Sequence, residues 1–276
     1  MLLETLLLEH ESSLRLGLFL GIFIIIALAE WLWPRREQKV MRPKRWRDNL
    51  SLLALAALFM RLMLPMGLAG LALQLTQANI GLFNQPDLML TNHWLVLVLS
   101  LIVLDFFIYW QHRLFHKVPY LWRLHQVHHS DKAFDVSTAL RFHPLEMLLS
   151  LFIKALIITL LGIPASAVIL FEIVLNGVAM FNHGNLSIPL ALDRFLRKIL
   201  VTPDMHRVHH SNISRETNSN FGFNISLWDR LFSSYQAQPL KGHEHVDIGL
   251  NAYPNSEQSQ GIIRLLLMPF KSGPIK

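Results

Sequence analysis

Not one of the 276 residues is cysteine. That excludes disulfides, cysteine-ligated zinc and cysteine-held iron–sulfur clusters within this chain. Charge is scarce as well: 16% of residues are charged against 52% hydrophobic. No Lys or Arg precedes Arg15, and no small-residue cleavage site closes the apolar run Leu14 to Trp33. The opening therefore reads as a retained first span rather than a secretory signal peptide. Domain-sized internal repeats and low-complexity tracts are also missing, which excludes solenoids and biased disordered segments. The net charge of +6 does not gather on a soluble stretch, as a nucleic-acid surface would need. The basic residues flank hydrophobic runs, where membrane topology and anionic lipid headgroups account for them, so no nucleic-acid partner is expected.

What is present is a series of apolar runs of membrane-spanning length. The first covers about Leu14 to Trp33, the second Leu50 to Leu75 with Arg61 inside it, and the third His93 to Trp110. A fourth, Leu145 to Ile163, and a fifth, Ala165 to Phe181, are separated by Pro164 and read as a hairpin, crossing or re-entrant. The loop PRREQKVMRPKRWRDN carries seven Lys or Arg, whereas TQANIGLFNQPDLMLTN carries none. By the positive-inside rule residues 34–49 are expected in the cytoplasm and 76–92 outside. LDRFLRKIL, with Leu192, Phe195, Leu196 and Ile199 set against Arg194, Arg197 and Lys198, reads as a helix lying in the interface, and NISLWDRLF is similar. The fold class expected is all-α: a polytopic membrane protein of about four to five spans or re-entrant hairpins. A cytoplasmic helical cap would hold a histidine-rich dimetal site. Three regions follow: an N-terminal membrane region 1–92, a histidine-bearing domain 93–235 and a tail 236–276 with little chemistry.

The histidines are the chemical signal. His112 and His116 form H-x-x-x-H; His125, His128 and His129 form H-x-x-H-H; His206, His209 and His210 repeat it. Such spacings put a box's rings on one face of a helix, and Thr202 with Pro203 reads as the N-cap and first position of the helix bearing the last box. All three boxes fall on one expected side of the membrane. His183, in FNHGN, joins them as a candidate ligand. His143, in RFHPLE, reads as a cap, a headgroup contact or a group supporting a ligand. Asp105 lies two turns before His112 and is expected either to orient a ligand ring or to pair with Arg61. Asn182, Asn185 and Asn220 read as ring partners or as loop residues, and Trp228, Asp229 and Arg230 as structural. His10, His93, His243 and His245 are expected to be bystanders.

An all-imidazole set suits Zn, Cu, Fe or Ni rather than Mg or Ca. Eight or nine ligands exceed what one open catalytic zinc needs and suit two metals with room for water, dioxygen or substrate. A membrane zinc hydrolase would want a carboxylate general base inside a box, as in H-E-x-x-H; RLF, QV and RV fill these gaps instead. A histidine-based metal transporter would want ligands at mid-bilayer depth rather than at span ends.

The order H-x-x-x-H, H-x-x-H-H, a lone histidine after a hydrophobic hairpin, then H-x-x-H-H resembles the fatty acid hydroxylase and sterol desaturase superfamily of membrane non-haem iron oxygenases. STALRFHPLE, FNHGN and ETNSNFGFNISLWDRLFSSY support the resemblance, which covers roughly residues 95–235. It implies two iron ions, with zinc able to displace them on isolation. His112, His116, His125, His128, His129, His183, His206, His209 and His210 take the metal-ligand positions. It also implies dioxygen and a lipid substrate such as a fatty acyl chain or sterol-like lipid, hydroxylated or desaturated. The chain leaves no length for a haem domain, so the electron-donor protein is expected to be external, and a bacterial inner membrane is the expected location.

Overall fold

The computed structural model describes residues 2–38, 40–85 and 93–271; residues 86–92 of the loop expected outside the membrane lie beyond these. A short helix α1 (Leu2–Glu9) leads into α2 (Glu11–Leu32). There follow α3 (Arg42–Met63), α4 (Gly67–Gln77) and α5 (His93–Lys117), then α6 (Pro119–His129), α7 (Pro144–Leu161) and α8 (Ala165–Asn182). The remaining α-helices are short: α9 (Leu190–Leu196), α10 (Pro203–His209), α11 (Ser214–Thr217), α12 (Leu227–Leu231), α13 (Gly242–His245) and α14 (Ile262–Leu267). Among the described residues there is no β-strand, only isolated antiparallel bridges such as Ser211 with Ile248.

Among the described residues five segments are long and apolar enough to cross a membrane: α2, the stretch Arg42–Gln77, α5, α7 and α8. At 1.5 Å per residue, the 22 residues of α2 reach about 33 Å, the thickness of a hydrocarbon core. Its outward side chains Leu16, Leu20, Ile24, Ile25 and Leu28 are exposed. So large an apolar surface is tolerable only against lipid. The second expected span is broken. Pro65 supplies no amide hydrogen, α3 ends at Met63, and α4 starts again at Gly67.

The expected hairpin of α7 and α8 turns at Gly162, which caps α7 at φ 68. A Cβ there would lie 2.7 Å from the Asn84 amide, so glycine is required twice over, by conformation and by space. The two arms diverge from this turn, and α4 packs against both. One apolar core joins them, centred on Leu68, Ala72, Leu104, Ile108, Ile158 and Ile169.

Above the core at the histidine end, buried charges tie the cap down. The Arg45 guanidinium donates to Asp131 and Asp135, and Ser137 Oγ accepts at 3.0 Å. Arg141, fully buried, donates to Val127 O at 2.8 Å, Asn49 Oδ1 at 2.9 Å and Ser259 O at 2.6 Å. Glu30 accepts from the backbone amides of Val136 and Asn185. Charges so deeply placed persist because they are paired and hydrogen-bonded on several sides. Arg35 also pairs with Asp204, and Arg36 donates to Val246 O. Part of the basic loop thus holds the cap in place, where sequence counting assigned all of it to topology and headgroups.

The segment after residue 236 packs on the centre rather than trailing away. Gly249 N donates to the His210 carbonyl, and Met268 packs with Leu52 and Val127. α9 leaves Leu190, Leu192 and Phe195 exposed, and Ile199 just beyond it, as an interfacial helix would. Arg197, however, turns inward to Asp193 and the Ala237 carbonyl instead of joining its polar face.

Candidate metal centre

Nine histidines converge where α5, α6, the end of α8 and α10 meet, and every one is buried. They sort into two groups whose ligand atoms lie within 4.8 Å of one another: His112, His116, His125, His129 and His209, then His128, His183, His206 and His210. All nine positions expected as ligands are brought together.

Neither H-x-x-H-H box serves one centre alone. In α6, His125 and His129 join the larger group while His128 joins the smaller. In α10, His206 and His210 join the smaller group while His209 crosses to the larger. Residues i and i+4 differ by about 40° around a helix and i+3 falls to the other side of the first, so one box reaches two adjacent points. The two groups adjoin, with the His129 and His210 rings stacked at 4.5 Å.

Four rings are oriented from behind. His112 Nδ1 donates to Phe221 O at 2.8 Å, His183 Nδ1 to Ala179 O at 2.7 Å, and His209 Nδ1 to Ser219 O at 2.7 Å. His125 Nδ1 contacts Glu146 Oε1 at 2.6 Å. A proton held on Nδ1 leaves Nε2 as a bare lone pair. His112 Nε2 nevertheless lies 3.1 Å from His125 Nε2, and His183 Nε2 lies 3.1 Å from both His128 Nε2 and His206 Nε2. For His112 and His125, whose Nδ1 atoms are both engaged, the facing Nε2 lone pairs repel unless a cation lies between them. Neighbouring ligands about 2.1 Å from one metal and at right angles stand about 3 Å apart. The donor set therefore fits two nitrogen-bound metal ions.

Burial, reinforced by the neighbouring rings, holds His128, His129, His206, His209 and His210 well below the ordinary imidazole value. Burial also brings His183 down to about 3. All six stay neutral near pH 7, so ligation needs no proton to leave.

The other expected residues are placed as follows. Thr202 caps α10, its side chain accepting from Met205 N at 3.3 Å. His143 caps α7, Nδ1 accepting from Leu145 N while Nε2 donates to Leu266 O, and it stands outside both groups. Asp105 accepts from Trp228 Nε1 at 2.8 Å and from Ile225 N at 3.3 Å, bonds that reach the loop after the last box rather than Arg61. Asn182 donates to Phe223 O, Asn185 to Arg36 O, and Asn220 to Met205 O, so the amides serve loops. His243, expected as a bystander, is buried with Nε2 3.6 Å from Asp204.

One supporting residue, Glu146, escaped sequence reasoning, and Asp229, read as structural, has a more specific task than anchoring a surface helix. Glu146 stands three residues after His143 in the same RFHPLE stretch, and its presence in an apolar helix was the available signal. Asp229 accepts from the amides of Phe221 and Gly222 and from Ser234 Oγ, and so fixes the carbonyl that holds His112.

A cavity of ≈ 180 Å³ adjoins the larger group. His112, His125 and Glu146 line it at that end, with Ile108, Phe142 and Met147 among its apolar walls.

The Fatty acid hydroxylase family model matches residues 97–234. Ornithine lipid hydroxylase OlsE of Rhizobium tropici is 31% identical over 176 residues, covering 63% of this chain and 50% of that protein. Human alkylglycerol monooxygenase is 33% identical over 145 residues, 50% of this chain and 30% of the relative. Human cholesterol 25-hydroxylase is 28% identical over 152 residues, 54% and 53%. The chain thus spans about half or less of the length of these curated relatives. No solved structure matches it.

Proposed function

From membership of the fatty acid hydroxylase family, to which this chain belongs, we propose that it is a membrane-embedded non-haem di-iron oxygenase that hydroxylates a lipid C–H bond with dioxygen and external electrons. The observation that carries this reading is the pair of adjoining all-histidine groups, with the bare Nε2 lone pairs of His112 and His125 3.1 Å apart at the end of the cavity. His112, His116, His125, His129 and His209 would hold one metal, and His128, His183, His206 and His210 the other. The bound metals would supply dioxygen activation and C–H oxidation.

The protein's own part is to position and to exclude water. Three backbone carbonyls and Glu146 fix ring tautomers and orientation. The walls of the cavity present hydrocarbon to the larger group and keep bulk water from it. Lipid reaches the cavity from the bilayer without crossing water, since α5 carries the chain from the membrane directly to His112 and His116. A hydrolase would need a free general base. Glu146 is the carboxylate at the histidine end of the cavity, and it is engaged on His125. The basic stretch 34–49 lies at the histidine end, which supports a cytoplasmic centre.

Elemental analysis of protein made in iron-supplemented medium and purified in mild detergent tests the reading. Two irons per chain are expected. Zinc alone calls for anaerobic exchange with ferrous iron, and protein that then still takes up none refutes the iron assignment.

A further inference from the structure

The cavity beside His112 and His125 does not end in hydrocarbon. Arg15, Lys154 and Glu172 also line it, with Gln111 and Ser150 along the wall between. Lys154 and Glu172 lie near the middle of α7 and α8. Lys154 lies eleven positions from His143 and Glu172 eleven from His183, about 16 Å along each helix. At that depth charge is expensive and is kept when it is paired or used.

Pairing accounts for only part of it. Glu172 accepts from Lys154 Nζ at 3.1 Å and from Arg15 at 2.8 Å. Two cations therefore share the one lining carboxylate at this end of the cavity, Glu172; Glu11 also bonds Arg15, at 3.1 Å, from outside the lining. An ammonium has three donors and a guanidinium five. Among the described bonds Lys154 uses one and Arg15 a single nitrogen. The surplus at this end of the cavity is hydrogen-bond donors carried on two cations, and Arg15 keeps 33% of its side chain exposed.

We propose that Arg15 and Lys154 bind the anionic oxygen group, carboxylate or phosphate, of an amphiphilic lipid whose hydrocarbon runs along the cavity toward His112 and His125. The inference rests on the oxygenase reading only for what happens at the histidine end. Glu146, which touches His125, and Lys154 are eight residues apart on α7, about 12 Å along the axis. With carbon–carbon bonds of about 1.5 Å in a zigzag, that is about ten carbons. The charged end thus acts as a ruler that sets which carbon stands beside the metals.

The test is binding, without turnover, in lipid nanodiscs. Dodecanoate, dodecyl phosphate, dodecanol and dodecyltrimethylammonium compete against a fluorescent fatty acid. At least one of the two anions is expected to bind about tenfold or more tightly than the alcohol, and the cation most weakly. Lys154→Met and Arg15→Met should reduce the anion preference to within about twofold while metal content stays unchanged. Glu172→Gln, which removes the competing carboxylate, should bind the anions more tightly than wild type and gain more thermal stability from them. This last result holds even where a cation variant fails to fold. Equal binding of all four probes, or an anion preference that survives both cation substitutions, overturns the proposal. Protein that discriminates the anions but holds no metal supports the subsite and sinks the oxygenase reading. Two metals with no discrimination do the reverse.

Discussion

Glu146→Ala should loosen the five-histidine site while leaving the four-histidine site intact. Glu146 Oε1 stands 2.6 Å from His125 Nδ1 inside the protein. It is the one side chain among the described partners that orient His112, His125, His183 and His209; the others are backbone carbonyls. Removing such a partner typically costs 10–100-fold in metal affinity, or about 1.4–2.8 kcal/mol. His125 would keep its place in α6 but lose the group that holds the proton on Nδ1, so its Nε2 would be a ligand only part of the time. Glu146→Gln keeps an acceptor oxygen without the charge and should fall between wild type and alanine. Equilibrating each variant against chelators of graded strength, and counting metal per chain, separates the two sites. One metal should leave early in Glu146→Ala and the other should follow the wild-type curve. Coincident curves for wild type and Glu146→Ala would refute the argument, as would equal loss from both sites.

His128→Ala and His209→Ala sit in different groups, so each should deplete one metal first while the chain still inserts; full occupancy in both variants removes the ligand assignment. Gly222→Ala should weaken the five-histidine site, because a Cβ there meets Asp229 Oδ2 at 2.7 Å and displaces the loop that presents Phe221 O to His112; unchanged metal retention would contradict this. Metal-stripped protein should be most stable above about pH 6.5 and lose stability as pH falls toward the depressed folded values, about 3 for His183, because only the unfolded histidines take up protons in that window. A flat or rising thermal midpoint between about pH 7 and pH 5 would count against buried neutral rings. His243→Ala should retain both metals yet lower the thermal midpoint by a few degrees, since a buried side chain beside Asp204 is lost; metal loss there would make His243 part of the centre.

Much was legible from residue order alone because its causes are local. Apolar runs of bilayer length form helices wherever water is absent, since the backbone has no other way to satisfy its polar groups, and the observed α2, α5, α7 and α8 lie within a few residues of their expected bounds, apart from the C-terminal extension of α5. Thr202 followed by Pro203 is an N-cap in any context. Two H-x-x-H-H boxes, an H-x-x-x-H and His183 predicted a convergent histidine cluster because imidazole is costly to bury unless it is partnered, and the nine rings do converge.

Tertiary structure alone decided how those ligands divide. The spacing lets one box reach two adjacent points, and only the meeting of the α6 and α10 rings, His128 with His210 and His129 with His209, assigns His128 to one group and His129 to the other, and His209 away from His206 and His210. Glu146, Arg45 and Arg141 were invisible as supports because their partners lie 11 to 118 residues away in sequence, and a charged side chain declares its role only when its partner is in place. The divergence of α7 and α8 around α4 belongs to the same class. A pattern of hydrophobicity determines that two helices enter the membrane, but side-chain packing determines the space left between them, and that space is the cavity with histidines at one end and Arg15, Lys154 and Glu172 at the other.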